Sequence, residues 1–236
     1  MFKFFRKWKA SRFKKKIKKK IYNSRPTKTT VEDSPSGKYT LVITHHSTGP
    51  HSWNCTKGVV SNQFGEVAII ERNYGIFPFS WVEGHPNGHD YLVCGADYQG
   101  QTIIELDTHK RKDFLSPGTE RGWGFCWASH VPSPDKTVLA VEGCVWGGPY
   151  ELVFFEFSKP LSFPKEVASA PELNAVVKRW VDDQNVEIEV EEEVRKSDGK
   201  FFHDLSDEEI GKAYDTDDYD DVDVVKIIPF RRKDDV

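Results

Sequence analysis

The sequence predicts a mainly β protein: three antiparallel β-sheet repeats of roughly 50 residues each, followed by a small α+β extension. Three observations predict it. A proline-centred turn recurs three times at near-constant spacing, an apolar strand follows each turn, and a Phe-x-Trp pair precedes the second and third turns.

The turns are Ser34-Pro35-Ser36-Gly37-Lys38, His85-Pro86-Asn87-Gly88-His89 and Ser133-Pro134-Asp135-Lys136-Thr137, with prolines 51 and 48 residues apart. Proline presets φ at the first corner of a β-turn, and Gly, Asn or Asp tolerate the angles that follow. The strands after them are Tyr39–Ile43, Tyr91–Cys94 and Val138–Val141. A second apolar strand ends in Glu in each copy, at Glu71, Glu105 and Glu156. The pairs Phe79/Trp81 and Phe125/Trp127 alternate as strand residues do, two apart on one side. The first repeat is longer, with an insertion over about residues 45–64 that carries His45, His46, His51, Trp53 and Cys55.

This turn-then-strand pattern resembles the inter-strand turn of β-propeller blades of the WD40-like and TolB-like kinds, over residues 34–160. The resemblance implies a binding scaffold and no catalytic residue. Three copies fall short of the four to eight blades that close a propeller, so the expectation is a partial or small propeller-like array, with a β-sandwich as the alternative.

After Pro160 the character changes. Ser169 and Glu172 have capping-box spacing, Pro171 lies in the first turn, and Leu173, Val176, Val177 and Trp180 follow at helical spacing, which predicts a helix over 169–181. Val186, Ile188, Val190 and Val194 alternate with acids as an exposed strand, Asp198-Gly199 is its hairpin turn, and residues 200–202 return. Ser206 and Glu209 predict a capped helix over 207–214, and Val224 to Phe230 a last strand. The chain thus divides into a basic arm and linker (1–33), a β-repeat domain (34–160) and an acidic α+β extension (161–236).

Charge is distributed by region. Residues 1–22 hold eleven Lys or Arg and no acid, whereas residues 182–236 hold twenty acids and eight bases, so a net charge of −4 conceals a strongly basic head and an acidic tail. Such a head points to a polyanionic partner or to masking by the tail. No apolar window is long enough for a membrane-spanning helix, and no secretory leader pattern is present. Four dispersed cysteines without a Cys-x-x-Cys pair read as thiols of an intracellular protein that is not secreted.

Within the arm, Lys3, Arg6, Lys7, Lys9, Arg12, Lys14, Lys15, Lys16, Lys18, Lys19 and Lys20 are the polyanion-binding candidates, and Phe2, Phe4, Phe5 and Trp8 suit a membrane interface. The apolar face changes side near Ser11, so this is not one continuous amphipathic helix. An anionic membrane or nucleic acid is the expected partner of residues 1–22, beside an unknown protein partner. Trp123, Trp127, Trp146 and Tyr150 are candidates for lining a groove. His45, His51, His85 and His89 are the minor metal-ligand candidates, although no zinc spacing is matched. Asp215 to Asp223 lacks the glycine and terminal Glu of a calcium loop. No nucleophile elbow or phosphate loop occurs, no cofactor is implied, and the catalytic residues are unknown. The function expected is therefore a non-enzymatic binding or scaffold protein tethered by its arm. The alternatives are a viral or phage structural, virion-associated protein, and an enzyme or metal protein with its site near residues 45–64.

Overall fold

The computed structural model describes residues 16–232; the arm candidates from Phe2 to Lys15 lie outside the described residues. Among the described residues fifteen strands form four antiparallel sheets in which consecutive strands are neighbours. The first sheet contains β1 (Lys28–Asp33), β2 (Tyr39–His46), β3 (Cys55–Asn62) and β4 (Gly65–Arg72). β5 (Ser80–Val82), β6 (Tyr91–Cys94), β7 (Gly100–Glu105) and β8 (Lys110–Leu115) form the second. The third comprises β9 (Phe125–Pro132), β10 (Val138–Val145), β11 (Glu151–Glu156) and β12 (Lys165–Leu173), and the fourth β13 (Val176–Asp182), β14 (Asn185–Arg195) and β15 (Tyr219–Pro229). Residues 16–22 are helical (α1), and α2 spans Asp207–Asp215. No sheet closes into a barrel among the described residues.

The three proline turns occupy the same place in the first three sheets, between the first strand and the second. In each, the residue before proline accepts from the residue three positions on: Gly37 N–H on Ser34 O (2.8 Å), Gly88 N–H on His85 O (2.8 Å) and Lys136 N–H on Ser133 O (2.9 Å). That third position has positive φ every time, at Gly37 (70°), Gly88 (88°) and Lys136 (64°), which glycine adopts without steric cost. The predicted mainly β class and its recurring turn are thus present in the structure.

The described residues divide into two compact units, one running to residue 127 and including 160–163, the other of 128–159 and the residues from 164 on. In the first unit Leu41, Ile43, Val60 and Ile70 of sheet 1 pack with Leu92, Cys94 and Ile104 of sheet 2 and with Leu106 just after β7. Alternation along β2 and β3 sends these side chains to one face. Gly58 leaves room for Phe77, since a Cβ there would stand 2.6 Å from its Cζ. In the second unit Leu152 and Phe154 meet Trp180, Val186 and Ile188, and the Trp180 indole N–H donates to Val131 O at 3.1 Å.

Several expectations are corrected. The helix over 169–181 is instead β12 and β13, separated by a turn at Asn174 (φ 56°). The β-branched and aromatic residues Val176, Val177 and Trp180 suit a strand, and Pro171 is tolerated because β12 is an edge with an irregular register. The insertion over 45–64 contains a regular strand, β3. Glu71 therefore belongs to a fourth strand and is not equivalent to Glu105 and Glu156, which end third strands. Trp81 lies in β5, with Phe79 just before it, and Phe125 and Trp127 lie in β9; both are the first strands of their sheets. Residues 28–33, expected as linker, form β1. The return after Gly199 (φ 72°) is a single bridge, Val194 to Phe201, that gives way to a 3-10 turn over Phe202–Asp204. The acidic stretch 219–223 is the start of β15. Helix α2 has the expected capping box: Ser206 Oγ accepts from Glu209 N–H, and Glu209 Oε2 accepts from Ser206 N–H at 3.0 Å.

Candidate functional site

Because successive strands run antiparallel, the β2–β3, β4–β5, β6–β7 and β8–β9 connections all emerge at one end of the first unit's sheets. They carry Trp53, Tyr74, Tyr98 and Trp123. Three of these rings meet: Trp53 lies 5.5 Å from Tyr74 and 5.9 Å from Tyr98, nearly perpendicular to both, and the tyrosines are 6.1 Å apart. Trp53 nevertheless keeps 52% of its surface exposed. Its loop is braced from within, where the Thr48 hydroxyl donates to Trp53 O and Ser52 to Gly49 O.

Beneath the rings is Arg72, 4% exposed. Its Nε donates to Ile76 O (2.6 Å), and Nη1 donates to Gly95 O (2.7 Å) and Asp97 O (3.0 Å). Burial pulls its pKa downward. Gly95 is required for this approach, as a Cβ there would stand 2.6 Å from Nη1. The guanidinium thereby ties the β4–β5 loop to the β6–β7 loop, and its Cζ sits 6.0 Å from the Tyr74 ring. Asn73 repeats the link: its Nδ2 donates to Asp97 Oδ2 (2.8 Å) and its Oδ1 accepts from Tyr98 N–H (2.9 Å). The aromatic platform therefore stands on a hydrogen-bonded base.

Helix α1 ends at the same place. Tyr22 is 6% exposed, its hydroxyl donates to Arg72 O at 2.8 Å, and its ring meets His46 edge-on at 5.8 Å. Burial raises the Tyr22 pKa and lowers that of His46. Lys16, Lys18, Lys19 and Lys20 are all exposed. The described part of the basic arm is thus a lysine helix pinned to the aromatic end of sheet 1.

The other candidates are placed as follows. Trp123 is 70% exposed in the β8–β9 loop, while Trp127 is 5% exposed. Trp146 and Tyr150 belong to the second unit, at the β10–β11 connection, and both are exposed. His45 pairs across to Thr56, His51 is exposed at φ 56°, His85 is buried against Tyr91 in its turn, and His89 bonds Asp107 at 2.6 Å. Among the described residues no three His, Cys, Asp or Glu side chains converge as metal ligands do, and the structure does not bring the four histidines together as one set. No helix of the described residues is long and apolar enough to cross a membrane.

An uncharacterised protein of Acanthamoeba polyphaga mimivirus is 33% identical over 190 residues, spanning 75% of this chain and 73% of that protein. The two belong to one family. No established family profile matches the chain, and no solved structure does. For this mimivirus-type family the site must therefore be read from its own residues. Tyr74, Tyr98 and Arg72 form no motif in the sequence, since 24 residues separate the two tyrosines. Their shared feature is position: each follows or ends a strand at the same end of a meander, where function-bearing loops gather.

Proposed function

We propose that this chain is a non-enzymatic binding protein, in which a propeller-like β-repeat body recognises a ligand and the basic arm of residues 1–22 tethers it to an anionic surface. The observation that carries this reading is the anchoring of Tyr22 on Arg72 O with Lys16, Lys18, Lys19 and Lys20 turned to solvent. Buried charge would need partners within the fold; these lysines are displayed outward instead. Near an anionic surface each basic residue contributes about 1 kcal/mol. Three successive four-stranded meanders sharing one turn position support the propeller-like part. Kinship with a mimivirus protein supports a viral setting, with the chain acting as a structural or virion-associated component.

The test compares the full chain with a chain lacking residues 1–22, by sedimentation with anionic liposomes and by retardation of DNA at low salt. Loss of binding on deletion is expected. Unchanged binding after deletion, or no binding by the intact chain to either surface, overturns the tether.

A further inference from the structure

We propose that helix α1 and the Trp53–Tyr74–Tyr98 platform together form a binding surface for single-stranded nucleic acid, the lysines engaging phosphates and Trp53 stacking a base. The inference rests on the tether reading of the arm and names its ligand class.

Juxtaposition is what supports it. Sequence-tolerant single-strand binders combine a basic track for the backbone with aromatic faces for the bases. Here the two are joined through two residues. Tyr22 ends the lysine helix and donates to Arg72 O, and the Arg72 guanidinium is 6.0 Å from the Tyr74 ring. Trp53 is braced at near right angles by both tyrosines, yet half of its surface is open. A side chain held upright in this way loses little freedom when a flat group lies against it. In duplex DNA the bases are already stacked and their faces are covered, so the platform would be idle. A flat anionic bilayer offers phosphates to the lysines but no flat ring face for Trp53 to stack on. A single strand meets neither obstacle, because it offers phosphates and unstacked bases at separate points along one chain.

The experiment measures fluorescence anisotropy of the full chain with a labelled oligo(dT) of about 20 nucleotides, enough to cover one or more site lengths of this kind. The same sequence in a duplex and vesicles of phosphatidylserine with phosphatidylcholine are the comparisons. Trp53→Ala is expected to weaken oligo(dT) binding by about 5- to 150-fold, the range for one lost base stack, without changing the salt dependence. Trp53→Phe should retain most of the affinity. Phe64→Ala, which removes an 88% exposed ring at the β3–β4 turn, should leave it unchanged. Replacing Lys16, Lys18, Lys19 and Lys20 by Ala should reduce the salt slope by about 0.7 for each phosphate no longer neutralised. Equal oligo(dT) affinity in Trp53→Ala and the wild type, or equal affinity of the wild type for single strand and duplex, overturns the proposal. Binding to vesicles through residues 1–22 without binding to oligo(dT) also overturns it while leaving the tether intact; binding to none of the three overturns both.

Discussion

The backbone N–H of Ser36 donates to Glu83 Oε2 at 2.8 Å, and at the matching turn of the third sheet the N–H of Asp135 donates to Asp183 Oδ1 at 3.1 Å. In both cases the residue after the turn proline is held by a carboxylate that follows the first strand of the next sheet. The Ser34 hydroxyl also donates to Glu83 (2.8 Å), as does that of Ser36. Glu83 therefore closes three hydrogen bonds where Asp183 closes one. Glu83→Ala leaves the nearly buried Ser34 hydroxyl without its acceptor and should cost about 1–3 kcal/mol. Asp183→Ala, at an exposed turn, should cost under about 1 kcal/mol. Urea-unfolding midpoints at pH 7 check the ranking, and an equal effect of the two substitutions contradicts it.

Lys136 stands where the other two turns have glycine. At φ 64° its Cβ is crowded against its own backbone, a cost of roughly 1 kcal/mol that glycine avoids. Lys136→Gly should raise stability by about 0.5 kcal/mol after the entropy glycine loses on folding is counted, whereas Gly37→Ala and Gly88→Ala should lower it by about 1 kcal/mol each. Thermal midpoints must rise in the first variant and fall in the other two for this account of the turn to hold.

These turns are legible in the sequence because proline and glycine act through their own backbone geometry, which needs no tertiary partner. The capping box of α2 is legible for the same reason. β3 is not, because its sequence, with Lys57, Gly58 and Ser61, has little apolar content, and it becomes a strand through pairing with β2 and β4 on either side. The helix expected over 169–181 does not form because capping spacing at Ser169 and Glu172 is a local signal, and packing of Trp180 and Val177 against Phe154 and Leu152 overrides it. The aromatic platform is hidden more completely. Its rings come from three connections, and only the antiparallel order of the strands brings them together.

Glu105 should make the first unit sensitive to acid. Burial alone would push its pKa up, but bonds from Thr108, Lys110 and Tyr91 outweigh it and bring the value down to about 2. A carboxyl held below its ordinary 4.5 stabilises the fold fully above that value and loses the contribution as pH falls from 4.5 towards 2. Glu105→Gln should therefore be destabilised by roughly 2 kcal/mol at pH 6, and the gap from the wild type should narrow progressively below pH 4.5 and close only as the pH approaches about 2. A gap that stays constant over that range shows that Glu105 is not the titrating group.

Gly58 faces the Phe77 ring so closely that Ala would place Cβ 2.6 Å from Cζ and 3.2 Å from Leu41 Cδ1. Gly58→Ala should cost about 1–3 kcal/mol by overpacking. Phe77→Leu costs stability as well, by opening space, but added to Gly58→Ala it should recover part of the loss. A double-mutant cycle on unfolding free energies reads this coupling; strict additivity means that the glycine acts through strand propensity and not through the ring.

Tyr22 tests whether the lysine helix is part of the folded body. Tyr22→Phe keeps the edge contact with His46 and removes only the hydroxyl that donates to Arg72 O. A single neutral bond contributes about 1 kcal/mol, little against the stability of a whole unit but large for a helix whose described part is only residues 16–22. Local opening free energies report such differences directly. Hydrogen exchange at residues 18–22 should accelerate by about fivefold in the variant, while exchange in β2, β3 and β6 stays as in the wild type. Acceleration shared by the strands would mean that Tyr22 supports the core of sheet 1, and unchanged exchange throughout would mean that the helix is held by something other than this hydroxyl.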